Sequence, residues 1–223
     1  MSQKNVLLVE GEADRGFFEA LCKNWKLSVL AIDVCTPRDA GHDRDSKQAA
    51  LAVLSSAYLN QLTDGQIERL AIVIDADQVS DGGGFDNTLG KLQQQLNPAG
   101  YVLRTNSGSG GLLFGHNDGL NDIGAWVMPN NADEGMLENW IQLNLHPQEA
   151  PLMQHAQASI DQIPGGPKFK PLRRCKAEVA TWLAWQESPG QGLWQAADSS
   201  LLDEAAPQLQ ALKIWLTGVF PAA

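Results

Sequence analysis

The chain of 223 residues is 43% hydrophobic and carries a formal net charge of −10. That apolar content suffices for one sizeable core, or for a core with a small appendage. The acidity argues against a broad nucleic-acid-binding face, because phosphate contacts draw on Lys and Arg. It leaves open a metal-dependent phosphate chemistry, whose carboxylate cage is acidic when empty.

Taken in order, residues 6–10 read as a first strand, and Asp14 to Trp25 as a helix with Phe17, Phe18, Leu21 and Trp25 at helical spacing. Leu27 to Val34 read as a second strand, and Pro37 to Asp45 as a polar loop. Ser46 to Leu62 fit a helix capped by Ser46, with Ala49, Ala50, Val53, Leu54, Ala57 and Tyr58 turned inward. A third strand is expected at 70–74, a helix from Phe85 to Leu96, and strands at 101–104 and at Ile123 to Met128. Ser107 to Gly111 form a turn-rich stretch. This alternation of strands and helices calls for an α/β fold whose central sheet is mostly parallel, with right-handed crossovers and flanking helices. Helices follow at about Glu134 to Leu145, Pro171 to Gln186 and Ala206 to Leu216. The expected division is therefore an α/β domain over 1–147 and a helical extension over 148–223 packed on it. Five of the seven tryptophans fall after residue 130, which marks the C-terminal part of the chain as packed structure rather than a tail.

Cys22, Cys35 and Cys175 are widely spaced and form no CxxC pair, so they read as reduced thiols. No signal-peptide pattern and no apolar run of about 18 residues is present, and a soluble, cytoplasmic protein is expected.

Two stretches carry the chemistry. Val6-Leu7-Leu8-Val9-Glu10-Gly11-Glu12-Ala13-Asp14 and Leu70-Ala71-Ile72-Val73-Ile74-Asp75-Ala76-Asp77 are both apolar runs that end in acid. Such runs read as strands buried on both faces. Acids just past them lie at the carboxyl edge of the sheet, where open α/β folds place their sites. Two unit charges ~4 Å apart repel by about 4 kcal/mol at an effective dielectric of ~20. A hard divalent cation such as Mg²⁺ or Mn²⁺ is the usual remedy, and Glu10, Asp14, Asp75 and Asp77 are its expected oxygen ligands. Asp75 and Asp77 share one side if the strand persists through both, and are splayed if a loop intervenes.

These motifs resemble the Toprim domain found in topoisomerases, bacterial primases, recombination proteins and the overcoming-lysogenization-defect (OLD) nucleases. VEGEADRGFFEAL is similar to the OLD-type variant, in which a second acid follows the strand-one glutamate by four residues. IVIDAD is similar to the family's Asp-x-Asp strand. The similarity spans about residues 5–145. Small Toprim-like proteins also share a segment of the form GAWVMPNNADEGMLENW. The resemblance implies a Rossmann-like fold, metal ligation by Glu10, Asp14, Asp75 and Asp77, and a general acid/base role for Glu10. It also implies a lysine that supports the transition state, and Lys176 is the candidate. Glu138, beside Leu137, Trp140 and Ile141, either completes the acidic cluster or is an ordinary acid at a helix N-terminus. Lys168, Lys170, Arg173, Arg174 and Lys176 form either a phosphate-gripping patch or a solvated helix start.

The leading expectation is a divalent-metal-dependent nuclease acting on nucleic acid, DNA before RNA, with an ATPase or other protein partner of the kind found in defence systems. The alternatives are a receiver-like phosphate-accepting domain and a non-enzymatic interaction module. Tyr58 and Tyr101 are the only tyrosines and neither sits in a separate domain, which argues against a topoisomerase. His42, His116, His146 and His155 lack zinc-ligand spacing. Gly82 to Gly84 lack the GK[ST] ending of a phosphate loop, and Ser107 and Ser109 lack the GxSxG elbow of a serine hydrolase.

Overall fold

Strands that are apolar on both faces need cover on both faces. The computed structural model, which describes residues 4–27, 32–104, 110–198 and 200–221, meets that demand. The first half runs β1 (Lys4–Leu8), α1 (Glu12–Asn24), β2 (Ile32–Cys35), α2 (Lys47–Val53), α3 (Leu59–Thr63), β3 (Ile67–Asp75) and α4 (Phe85–Leu96). Next come β4 (Tyr101–Arg104), β5 (Leu112–His116) and β6 (Ile123–Met128). The remainder is helical: α5 (Leu137–Leu143), α6 (Ala150–Asp161), α7 (Arg174–Ala184), α8 (Trp194–Asp198) and α9 (Pro207–Val219).

The six strands form one sheet in the order β2-β1-β3-β6-β5-β4. β1 pairs in parallel with β2 and β3, and β3 with β6, whereas β5 runs antiparallel to both β6 and β4. The result is a Rossmann-like α/β fold with a mostly parallel sheet between helical layers. The mostly parallel sheet expected from the sequence is present, and its antiparallel strand β5 is the one strand the sequence reading did not anticipate. That strand is five residues long and includes a glycine, and it follows a glycine-rich stretch, so it lacks a strand's usual signature. The turn expected at Ser107, Gly108 and Ser109 lies outside the described residues, as does the 28–31 portion of the expected second strand. The single helix expected over 46–62 is divided by a π-type stretch, Leu54–Tyr58. Its cap forms as expected: Ser46 Oγ accepts the Ala49 N–H at 3.2 Å.

Alternation along the strands sorts the core into two halves. Leu7, Val9, Ala71, Val73, Trp126 and Met128 face a layer built from α1 and α5–α9. Val6, Leu8, Leu70, Ile72, Ile74 and Val127 face α2, α3 and α4. Residues beyond 147 thus share the cover of one face of the sheet with α1 and α5. Trp215 of α9 lies 5.4 Å from Trp126 between ring centroids. At Gly124 a Cβ would stand 2.5 Å from Val219 Cγ2, so α9 rests on bare β6 backbone. Among the described residues no helix is long and apolar enough to cross a membrane.

The connection β1–α1–β2 uses one face and β2–α2–α3–β3 the other. Between β1 and β3 the chain direction of travel reverses, which opens a crevice beyond their carboxyl ends.

Candidate active site at the β1–β3 edge

Register brings the two acidic stretches together, since Leu8 pairs with Ile72 and the chains leave the sheet side by side. Glu10 follows β1, and its Oε1 accepts the backbone N–H of Asp75 at 2.8 Å. Asp75 is the last residue of β3, and its Oδ1 accepts the Leu137 N–H at 3.0 Å, at the start of α5. That bond ties α5 to the sheet edge and places Glu138, one residue on, against the same crevice. Glu138 is buried, with Oε1 3.4 Å from Lys176 Nζ of α7. Asp14 enters from the first turn of α1.

Each acid feels its neighbours. Burial pushes the Glu10 carboxyl up to about 7; Asp14 and Asp77 add to the rise, while the Asp75 N–H and Lys47 oppose it. Burial and the Glu138 charge raise Asp14 to about 6, against the pull of Lys176. Asp75 stands well above the ordinary range, from burial first and then from Glu10, Asp14 and Glu138. The Asp75 N–H bond lowers the Glu10 value without cancelling the effect of burial. Burial works against the Lys176 charge, but Glu138, Asp75 and Asp14 more than offset it and its pKa is raised.

Asp77 is placed differently. β3 ends at Asp75, and Asp77 adopts a left-handed backbone (φ 62°) in an isolated antiparallel bridge with Gly135. Its carboxylate meets Lys47 at 2.5 Å. The loop, rather than a continued strand, therefore decides its direction: Asp75 faces the acids, and Asp77 faces the neighbouring cleft. Gly83 makes this turn possible, because a Cβ there would stand 2.7 Å from both the Ala76 carbonyl oxygen and Asp77 Cβ.

Lys47 and Asp45 are the residues that sequence reasoning missed. Lys47 Nζ is buried, and it donates to the Ala76 carbonyl at 3.0 Å and to Thr88 Oγ1 at 3.2 Å besides pairing with Asp77. Its signal was readable, since Lys47 falls on the same face of α2 as the buried Ala50 and Leu51. Asp45 packs against Gly11, its Cβ 3.2 Å from where a Gly11 Cβ would stand, and its Oδ1 is buried without a hydrogen-bond partner among the described residues.

Beside the acids opens a cleft of about 840 Å³. Lys47, Lys91, Lys168, Lys170, Arg173 and Lys176 line it, with Asp77 and Asp81. The basic segment 168–176 thus mostly lines this cleft, with Lys176 reaching Glu138. Arg174 is the exception, held by Asp161 at 2.7 Å and Glu178 at 2.6 Å.

The donor set suits a hard divalent cation. Glu10, Asp14, Asp75 and Glu138 are oxygen donors that repel one another, and Glu138 Oε2 is buried with no hydrogen-bond donor among the described residues. Among those residues, no three His, Cys, Asp or Glu side chains stand as an assembled metal cage. Oxygens of Glu10, Asp75 and Glu138 are instead engaged by the Asp75 N–H, the Leu137 N–H and Lys176 respectively, and Asp77 by Lys47.

No curated protein and no solved structure matches this chain. The family model described as "Protein of unknown function (DUF3226)" matches residues 4–221, and the chain belongs to that family.

Proposed function

We propose that this protein hydrolyses phosphodiester bonds of nucleic acid, DNA before RNA, at the β1–β3 edge, with Mg²⁺ or Mn²⁺ as cofactor. The observation that carries the reading is the juxtaposition of four mutually repelling carboxylates with a cleft lined by six cations. The carboxylates suit a divalent ion, and the cations suit the phosphates of a polymer. The resemblance of both acidic motifs to Toprim nucleases agrees with this reading.

Glu10, Asp14, Asp75 and Glu138 would hold the cation, with Asp77 at their rim. Bound there, the ion supplies charge neutralisation for the phosphate and acidifies water. The chain's own residues supply the rest. The cleft lysines and Arg173 hold the flanking phosphates and fix the polymer's register. Lys176, charged and beside Glu138, presents a donor to charge that develops on the phosphate oxygens. Glu10, as the resemblance to Toprim nucleases implies, takes a proton from water and returns it to the leaving oxygen.

The test is nicking of supercoiled plasmid by purified protein with Mn²⁺, beside Glu10→Gln and Asp75→Asn. Loss of nicking in both variants, each still folded by a cooperative thermal transition, is expected. Equal nicking by all three proteins would trace the activity to a contaminant and overturn the reading.

A further inference from the structure

We propose that the cleft beside the carboxylates is a groove for a single-stranded segment of nucleic acid, with Phe169 as the platform on which a base stacks. The identity of the polymer rests on the phosphodiester reading above; the form of the groove rests on three observations of its own.

The first is charge. Lys91, Lys168, Lys170 and Arg173 line the cleft, and none of them makes an ion pair with a described carboxylate. In this chain of net charge −10, nine of the sixteen lysines and arginines, Lys47 and Lys176 of this cleft among them, have acidic partners; of the seven without one among the described residues, four gather in this cleft, and Lys26, Arg44 and Arg69 lie outside its lining. Four cations gathered without partners, against the overall field of the molecule, form a site for a polyanion.

The second is the aromatic between them. Phe169 lies in the cleft wall with Lys168 and Lys170 on either side, on the segment that joins α6 to α7. It is half-buried and belongs to neither half of the hydrophobic core. Packing therefore does not account for it. An aromatic face flanked by cations matches an unpaired base flanked by its phosphates, and every base has a π-face to offer.

The third is size. A volume of about 840 Å³ lies within the range of pockets that enclose small ligands, ~300–1,000 Å³. It admits a short run of extended strand. A duplex keeps its bases stacked on each other, so it has no free base face to offer Phe169.

Fluorescence anisotropy with a labelled oligothymidylate, and with a duplex of equal length, tests this in chelator, where hydrolysis plays no part. The single strand is expected to bind more tightly than the duplex. Phe169→Ala should weaken single-strand binding on the order of tenfold, the loss typical of one stacked base, and Phe169→Trp should preserve it. Lys168→Ser with Lys170→Ser should flatten the salt dependence by about 1.4 in log–log slope, ~0.7 for each lost phosphate contact. Thermal unfolding of each variant reports its fold. Absence of binding, equal affinity for both forms, or an unchanged affinity in a folded Phe169→Ala protein would overturn the groove. Those results are independent of the plasmid assay: binding without nicking removes the phosphodiester reading alone, and nicking that ignores Phe169 removes the groove alone.

Discussion

Without a cation, the acid cluster should make the protein less stable as pH rises. The Glu10 carboxyl moves from an ordinary 4.5 to about 7 on folding, chiefly through burial. The folded state therefore holds a proton that the unfolded chain has released. A raised folded pKa contributes stability that is complete below the unfolded value and is lost as pH climbs through the folded one. For Glu10 the window runs from 4.5 to about 7, and for Asp14 from 3.8 to about 6. Asp75 acts in the same direction. Each pKa unit corresponds to ~1.4 kcal/mol, so Glu10 alone sets a scale of about 3 kcal/mol. The acids share their protons, so their shares do not add, and residual contact with solvent reduces each. A net loss of about 2–4 kcal/mol is expected between about pH 4.5 and pH 8. Urea unfolding across that range in chelator measures it. The overall negative charge contributes a background of the same sign, which Glu10→Gln separates, since that variant should lose only the cluster's share. Saturating Mg²⁺ or Mn²⁺ should restore stability by RT ln(1 + [L]/Kd), with a gain that grows toward alkaline pH. Stability that stays flat or rises with pH in chelator, unaltered by Glu10→Gln, would refute the buried, repelling cluster.

The same protons give a second readout. Mn²⁺ binding should release them near neutral pH, so calorimetric enthalpies should change with the ionisation enthalpy of the buffer; enthalpies independent of buffer would contradict a protonated Glu10. Lys47→Met should cost about 2 kcal/mol in urea unfolding. It strips Asp77 of its ion pair and Ala76 and Thr88 of a hydrogen bond, at a cost below the ~3–5 kcal/mol scale for broken buried pairs because the Asp77 side chain is 47% exposed. A Lys47→Met protein as stable as wild type would remove Lys47 as the support of the Asp77 loop. Gly83→Ala should displace that loop, because the new methyl meets backbone at 2.7 Å. A loss of ~1–3 kcal/mol, the range for overpacking, is expected, and melting at the wild-type temperature would show that the turn yields freely.

How far the site was legible depends on what each residue's position rests on. Glu10 and Asp75 follow directly from apolar runs that end in acid, because a strand buried on both faces has one exit to the carboxyl edge and its next acid must stand there. Glu138 and Lys176 required tertiary information, since only the Leu137 N–H bond to Asp75 and the packing of α7 bring them to that edge. Strand periodicity could not settle Asp77, because its direction is set by one left-handed residue and a bridge to Gly135, a partner far along the chain. β5 escaped for a related reason: a five-residue strand is specified by its neighbours β6 and β4 more than by its own pattern. Lys47 is the instructive miss. A lysine on an apolar helix stripe is a local contradiction, and burying an ammonium without partners is prohibitive. Such a residue announces that carboxylates and carbonyls await it elsewhere in the fold. Here they are Asp77 and Ala76, on the segment that divides the acidic crevice from the basic cleft. The cation that the sequence hid in a helix core is therefore the one that fixes the wall between the two halves of the site.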